Sequence, residues 1–364
     1  MRMSWINRAT TNLASILFFF ILLELGSYAI WTVLDKQGVN KSGISFVLNL
    51  LNQKDVSTTM VPKPYSLYWN NPNFFDEQYG KIYNNDGYRS PETADYPSNA
   101  KRLLVLGGST TNVWPYVKDN DKIWTTLVEK ELNASSDTIF QVMNAGIPFG
   151  TTAELLSHYI FTGKYKNPDV VVYHGGGNDA MPLYFPEYQT DYSHVRWSQA
   201  GAPMRKKIRK VVSISYFAKL ITSIAFNYSP SNGAPPYKNL NSSLVLERVK
   251  SNGAIAFKEN LEVLINEARR NGSNVFLIGF LHAKKENLTR NRPDLIGLED
   301  AIIEAVAKHD QIMSELAKKY SFVEFLKLDS TRFKDDWFID NCHLIEEGEK
   351  EKALQISNFL KQYL

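Results

Sequence analysis

Two hydrophobic patterns divide this chain of 364 residues. Residues 13–34 form one continuous apolar run, LASILFFFILLELGSYAIWTVL. From residue 101 onward, short apolar runs alternate with stretches whose apolar positions recur at helical spacing. The change predicts a membrane-crossing helix followed by a folded domain of alternating strands and helices.

The folded domain is predicted over residues 101–364. Its short apolar runs have the length of buried strands and cover residues 103–106, 140–143, 170–173, 275–278 and 322–326. The clearest helical stretches cover residues 256–270, 301–319 and 346–363. Strands that alternate with helices predict a five-stranded parallel sheet in an α/β fold, with helices on both faces.

The apolar run 13–34 is long enough to cross a bilayer about 30 Å thick. Arg2 and Arg8 precede it, which predicts a cytoplasmic segment over residues 1–12 and places the rest of the chain outside the cytoplasm. A cleaved signal peptide is the rival, because Ser27, Tyr28 and Ala29 form a small-x-small cleavage pattern. The apolar residues continue to Leu34, which favours an uncleaved, single-pass anchor.

Glu24 interrupts this apolar run. A carboxyl group there is protonated, paired within a helix assembly, or close enough to one interface to reach water. The sequence leaves these three interpretations open.

Two further segments differ in composition. Residues 35–100 are rich in Asn, Pro, Tyr and Asp and are predicted as a linker and irregular lead-in. Residues 180–250 are predicted as an insertion or lid over the site, in which 181–186 and Trp197 line an acyl pocket, stack on sugars, or simply pack on the core. Its basic run 205–210 precedes an apolar stretch, which fits an anionic membrane surface or a solvated, packed helix.

Composition excludes several classes of protein. The 41 basic residues nearly balance the 38 acidic ones, which argues against a nucleic-acid partner. The single cysteine, Cys342, excludes an internal disulfide framework. No spaced ligand set predicts a metal, and the glycine turn at 107–111 lacks the spacing of a dinucleotide site or a phosphate-binding loop. We therefore predict no cofactor.

The residues that follow the predicted strands are the candidates for chemistry, since parallel α/β sheets bind ligands at the carboxyl ends of their strands. Ser109 follows two glycines after the first strand, Gly146 lies just after the second, and Asn178 follows the third. Asp340 precedes His343 by three residues, so its carboxylate can hold Nδ1 and leave Nε2 free to accept a proton.

Each of these residues also has a structural interpretation. Ser109 suits a helix N-cap, Gly146 a turn, Asn178 an Asx turn, and Asp340 with His343 a surface pair. Their occurrence in this order, at strand ends that should converge, favours one site.

In these four blocks the chain resembles the SGNH, or GDSL-type, serine hydrolases, of the membrane-anchored bacterial kind. The matching segments are Gly107-Gly108-Ser109, Asn144-Ala145-Gly146, Gly176-Gly177-Asn178-Asp179 and Asp340-x-x-His343. The resemblance covers residues 101–364, and the segment Asn85–Arg89 before it is a weaker match. It departs from the family in having Gly108 where Gly-Asp-Ser is usual.

This resemblance implies a three-layer α/β/α, flavodoxin-like fold and an ester hydrolase. Ser109 would be the nucleophile, His343 the base and Asp340 its orienting acid. The N–H groups of Ser109 and Gly146 and the side chain of Asn178 would form the oxyanion hole. Cys342 is expected to point away from the site.

The expected substrate is an acyl ester of an envelope glycan or lipid. There are two alternatives, of which the first uses the same catalytic residues and the second has no catalysis. An O-acyltransferase would pass the acyl group to a sugar hydroxyl instead of water, and an inactive module would only bind a glycan.

Overall fold

The structure, a computed structural model, describes residues 2–36, 47, 51, 59–66, 68–195, 202–228 and 240–364. It divides into two compact units. The anchor unit comprises Met1–Ser57 and Ala200–Asn232, and the sheet unit comprises Thr58–Gln199 and Gly233–Leu364. Trp197 lies outside the described residues.

A five-stranded parallel sheet forms the centre of the sheet unit. Two short antiparallel pairs precede it, β1 (Met60–Pro62) with β2 (Tyr68–Asn70) and β3 (Phe75–Asp76) with β4 (Gly80–Lys81). The sheet strands are β5 (Lys101–Gly107), β6 (Phe140–Gly146), β7 (Val170–His174), β8 (Asn274–Ile278) and β9 (Val323–Leu326). They lie in the order β6-β5-β7-β8-β9, and all neighbouring pairs are parallel.

This order is that of flavodoxin-like sheets, and the fold prediction is confirmed. Each of the five predicted strands is present, with boundaries that differ by three residues or fewer. Strands β5 to β8 are almost continuously buried, as expected when helices cover both faces, whereas the edge strand β9 is mostly half-buried.

The helices are numbered along the chain. They are α1 (Arg2–Lys36), α2 (Ser109–Asn112), α3 (Trp124–Ala134), α4 (Thr152–Phe161), α5 (Gly177–Ala180), α6 (Ala202–Ile214), α7 (Tyr216–Tyr228), α8 (Ser242–Ser251), α9 (Ile255–Arg270), α10 (Glu299–Lys319) and α11 (Glu346–Leu360). Around the sheet, α3 packs with α11, and α9 packs with both α4 and α10. The three helices predicted from periodicity correspond to α9, α10 and α11.

The described part of the predicted linker belongs to the folded core from residue 59 onward. Trp69, Tyr83, Tyr88 and Arg89 are among the largest fully buried side chains in the part of the chain that the structure describes. Trp69 stacks on His158 of α4 with 3.6 Å between ring centroids. The hydrophobic pattern did not predict that this segment is folded. The segment packs through aromatic and polar side chains on irregular backbone, which produces no periodic pattern.

The anchor unit contains the apolar helix α1 with α6 and α7. Within the described residues, one helix is long and apolar enough to cross a membrane, over Thr10–Leu34. Of the predicted insertion 180–250, residues 202–228 group with this helix. Helix α8, by contrast, packs on α10 in the sheet unit and buries Val245 and Val249.

Candidate active site

The site lies where the strand order reverses. The chain leaves β5 for β6 on one side and returns to β7 on the other, so the connections that follow β5 and β7 diverge at the carboxyl edge of the sheet. Ser109 opens helix α2 directly after β5, and Asn178 lies in helix α5 after β7.

Ser109 and His343 are joined by a hydrogen bond. The distance from His343 Nε2 to Ser109 Oγ is 2.9 Å, although 234 positions separate the two residues. Ser109 is the first residue of α2, where a backbone N–H has no acceptor within the helix. The hydroxyl therefore has a proton acceptor beside it and an N–H on its own backbone.

Asp340 holds the other side of the imidazole. Its Oδ2 lies 2.8 Å from His343 Nδ1, and its Oδ1 accepts the backbone N–H groups of Cys342 and His343 at 2.9 Å. Burial alone would raise the pKa of Asp340. The hydrogen bond and charge of His343, with the two N–H groups, outweigh burial and hold this pKa below its ordinary value. Asp340 therefore stays ionised, and Nδ1 must carry the proton.

An aromatic neighbour restricts the histidine ring. Tyr116 stacks on it at 3.7 Å between centroids and an interplanar angle of 14°. Burial and then the charge of Asp340 raise the pKa of Tyr116 to about 12, so its hydroxyl remains neutral. Tyr116 had no signal in the sequence, since it lies outside the motifs, in the irregular loop that follows helix α2.

The sequence predicted that Cys342 points away from His343. In the structure it does not. Its sulfur lies 3.7 Å from His343 Nδ1, on the Asp340 side of the ring. Burial, followed by the charge of Asp340, raises the pKa of the thiol well above its ordinary value. The group is thus a neutral neighbour on the far side of the ring from Ser109.

Gly146 does not have the predicted role in this structure. Its N–H donates to Asn144 Oδ1 at 3.0 Å, so it is not directed at a substrate. A Cβ at Gly146 would lie 2.4 Å from the backbone nitrogen of Asn112. The glycine is needed because β6 passes close to helix α2.

The glycine beside the predicted oxyanion site is Gly150. Its carbonyl accepts a hydrogen bond from Asn178 Nδ2 at 2.9 Å. A side-chain amide carries two hydrogens, so this bond leaves one Nδ2 hydrogen for a ligand. The N–H of Gly150 donates to the carbonyl of Ile147 at 3.0 Å. Gly150 thus orients Asn178 through its carbonyl oxygen.

Asp179, next to Asn178, has a structural task that the motif did not reveal. Its carboxylate accepts the N–H of Thr152 at 3.0 and 3.1 Å, the Thr152 hydroxyl at 2.6 Å and the Tyr192 hydroxyl at 3.0 Å. Burial raises the pKa of Asp179 to about 6 despite these donors. The residue ties the Asn178 segment to the first turn of α4.

Two buried cations hold helix α2, which carries Ser109, and the loop that follows it. Arg89 donates to the carbonyls of Asn112, Val117 and Lys118 at 2.7–2.9 Å, on either side of Tyr116. Lys352 of α11 donates to the carbonyl of Thr110 at 3.0 Å and pairs with Glu349 at 2.7 Å. Elements before and after the site in sequence therefore hold helix α2 in place.

Asp340, Cys342 and His343 also bring three potential metal-ligand atoms within 4.8 Å of one another. Both imidazole nitrogens of His343 are already engaged, by Asp340 and by Ser109. The raised pKa of the Cys342 thiol further disfavours the thiolate form that binds metals. The donor set therefore fits a hydrogen-bonded triad better than a metal centre.

No family model and no curated protein matches the chain. Among solved structures, it is similar to a lipase/acylhydrolase from Enterococcus faecalis, with 17% identity over 72% of this chain and 96% of that one, at a TM-score of 0.42. An acetylxylan esterase from Geobacillus stearothermophilus is 13% identical over 72% and 94%, also at 0.42. A GDSL-like lipase from Bacteroides thetaiotaomicron is 14% identical over 76% and 92%, at 0.40.

Proposed function

We propose that this chain is a serine ester hydrolase that works through an acyl-enzyme. The observation that carries the proposal is the continuous chain of hydrogen bonds from Ser109 Oγ to His343 and from His343 to Asp340, at 2.9 and 2.8 Å. These distances meet the geometric requirement for a nucleophile, its base and the group that orients the base.

The reaction follows from these contacts. Ser109 Oγ attacks the ester carbonyl carbon while its proton passes to His343 Nε2. The imidazolium then gives this proton to the departing alkoxide, which leaves as the alcohol, and the acyl group stays on Ser109. Water attacks the acyl-enzyme with His343 again as base, releases the acid and restores the serine. Asp340 remains ionised and stabilises the imidazolium in both halves.

The oxyanion is stabilised by the N–H of Ser109 and the remaining Nδ2 hydrogen of Asn178. This replaces the predicted set, from which Gly146 is removed because its N–H is bound to Asn144. Loss of one such donor typically lowers kcat about 10²–10³-fold.

The substrate we propose is an O-acyl ester of an envelope glycan or lipid. The apolar helix Thr10–Leu34 supports this, because it would tether the sheet unit to a membrane. Arg2 and Arg8 favour a cytoplasmic N-terminus, with the sheet unit on the outer side.

The test is turnover of p-nitrophenyl acetate by the full-length protein and its Ser109→Ala variant. We expect Ser109→Ala to lose measurable turnover and labelling by a fluorophosphonate probe while it keeps the wild-type melting temperature. Cys342→Ser is the matched control beside His343 and should stay active, because its sulfur lies on the Asp340 side of the ring. Turnover near the wild-type rate in Ser109→Ala would refute the proposal.

The acceptor of the acyl group needs a separate measurement. Acetylated sugars and lysophospholipids are supplied in turn, and the products are analysed with and without a glycan acceptor. Free acid as the dominant product supports hydrolysis, whereas an acylated glycan would identify a transferase that uses the same triad.

A further inference from the structure

A carboxylate inside the apolar helix of the anchor unit has donors from another helix. Glu24 accepts a hydrogen bond from the Ser215 hydroxyl at 2.9 Å and from the Phe217 N–H at 3.2 Å, and it also accepts the N–H of Tyr216. These N–H groups belong to the first turn of α7, where backbone donors lack partners and the helix dipole favours an anion. An unpaired carboxylate would be costly in a bilayer, so α7 supplies what Glu24 needs.

The depth of this contact can be estimated from helix geometry. At 1.5 Å per residue, the rise from Glu24 to Leu34 is about 15 Å. Leu34 ends the apolar stretch of α1. If α1 crosses a bilayer about 30 Å thick, Glu24 lies about 15 Å from the end of the apolar stretch. The start of α7, which contacts Glu24, then lies at the same depth.

Helix α7 has two different faces. Tyr216 and Leu220 pack against the small hydrophobic cluster of Trp31 and Val212 in the same unit. Phe217, Ile221 and Ile224 are 37%, 49% and 49% exposed. Their spacing places them in one stripe along the helix. In water this stripe would be unfavourable, whereas acyl chains are its natural surroundings.

Helices α6 and α7 carry only positive formal charge. Residues 202–228 contain Arg205, Lys206, Lys207, Arg209, Lys210 and Lys219 and no acidic residue. Basic residues close to an anionic membrane surface strengthen binding to it. A basic helix directly before an apolar stripe suits an element whose charges stay at the headgroups while its stripe reaches the acyl chains.

We propose that α6 and α7 form a second membrane element, docked on α1 through Glu24. Its partner is the lipid bilayer that α1 crosses, with Phe217, Ile221 and Ile224 against acyl chains and the basic run 205–210 against anionic headgroups. The inference rests on the proposed membrane tether. It also requires an uncleaved anchor, because a cut after Ala29 would remove Glu24 from α7.

The experiment uses the full-length protein with Cys342→Ser, reconstituted in phosphatidylglycerol vesicles. Ile221→Cys and, as control, Lys250→Cys each receive a bimane label. Both positions are exposed within their own units. We expect nitroxide groups on the lipid chains to quench the label at position 221 at least about fivefold more than the label at 250. Equal quenching at the two positions would overturn the proposal, because protein cover alone cannot bring a label to the lipid chains.

The Glu24 contact is tested in the same vesicles. Glu24→Leu keeps α1 apolar but removes the acceptor, and we expect it to reduce quenching at position 221. Glu24→Gln retains one acceptor oxygen and should reduce it less. Unchanged quenching in Glu24→Leu would overturn the docking through Glu24.

Two controls separate this inference from the tether itself. If the unlabelled protein is released from the membrane pellet by carbonate, α1 is not a membrane tether. If the protein stays in the pellet but the label at position 221 is not quenched, only the second membrane element is refuted. Mass spectrometry of the membrane form should recover peptides that contain Glu24, and an N-terminus at Ile30 would refute the proposal.

Discussion

At Gly108 a side chain would collide with the amide of Asn178. A Cβ built there would lie 2.6 Å from Asn178 Nδ2, far closer than real contacts allow. The proposed oxyanion donor thus occupies the space that the usual Gly-Asp-Ser acid would fill. Glycine at this position, where the resembled family usually has aspartate, is compatible with the placement of the Asn178 amide.

Gly108→Asp, which restores the family pattern, is therefore expected to impair the enzyme. The new side chain displaces the amide of Asn178, and kcat on p-nitrophenyl acetate should fall about 10²-fold or more, as for loss of one oxyanion donor. Gly108→Ala tests the Cβ alone and should show a smaller loss in the same direction. An Asp variant with wild-type kcat would contradict this placement of Asn178.

At the scale of elements, the lead-in before the sheet is part of the scaffold around the candidate site. Arg89 is completely buried, and its guanidinium binds carbonyl groups on both sides of the loop that carries Tyr116. Burial lowers the pKa of Arg89 to about 10, so it stays charged at neutral pH. The segment therefore sets the position of the ring that stacks on His343.

Arg89→Lys should destabilise the protein although it keeps the charge. A lysine nitrogen cannot serve the several acceptors that the guanidinium reaches, and unsatisfied buried acceptors cost about 1–3 kcal/mol each. We expect the free energy of unfolding, measured in urea, to fall by about 3 kcal/mol or more. Arg270→Lys, at an exposed arginine paired with Glu267, is the matched control and should change it by less than about 0.5 kcal/mol. An equal change in the free energy of unfolding for the two variants would show that the hydrogen bonds of Arg89 do not stabilise the fold.

At the scale of the whole molecule, buried neutral histidines link stability to pH. Burial lowers the pKa of His158 and His174 well below the ordinary value, and that of His309 to about 4. His309 Nδ1 donates to the carbonyl of Gly176 at 2.9 Å, next to the block that carries Asn178. Its Nε2 is buried without an acceptor, so protonation there is unfavourable.

The sign of the effect follows from the direction of the shift. The folded pKa of His309 lies below the unfolded value near 6.5, so its contribution to stability is complete above pH 6.5 and is lost as pH falls towards 4. A shift of this size corresponds to about 3 kcal/mol. We expect His309→Asn, which keeps a donor for Gly176, to lose less unfolding free energy than wild type between pH 7 and 4.5 in urea titrations. Parallel curves for the two proteins would contradict this role.

The fold and the candidate triad residues were accessible from the sequence because local signals encode them. Buried parallel strands appear as short apolar runs, and Ser109, Asn178 and His343 stand in compact motifs at strand ends. The Gly146 prediction was wrong because a glycine in a motif does not reveal where its N–H points. Asn144 Oδ1 takes that N–H, and this contact exists only once β6 is in place.

The sequence by itself determined the five-stranded sheet, the apolar segment and the candidate nucleophile, base and acid, since hydrophobic period and motif spacing are properties of neighbouring residues. The tertiary structure alone decided the partners from distant positions: Tyr116 on His343, Arg89 and Lys352 around helix α2, Gly150 with Asn178, and Glu24 with α7. These contacts join irregular or far-separated segments through hydrogen bonds and ring packing, which leave no periodic trace along the chain.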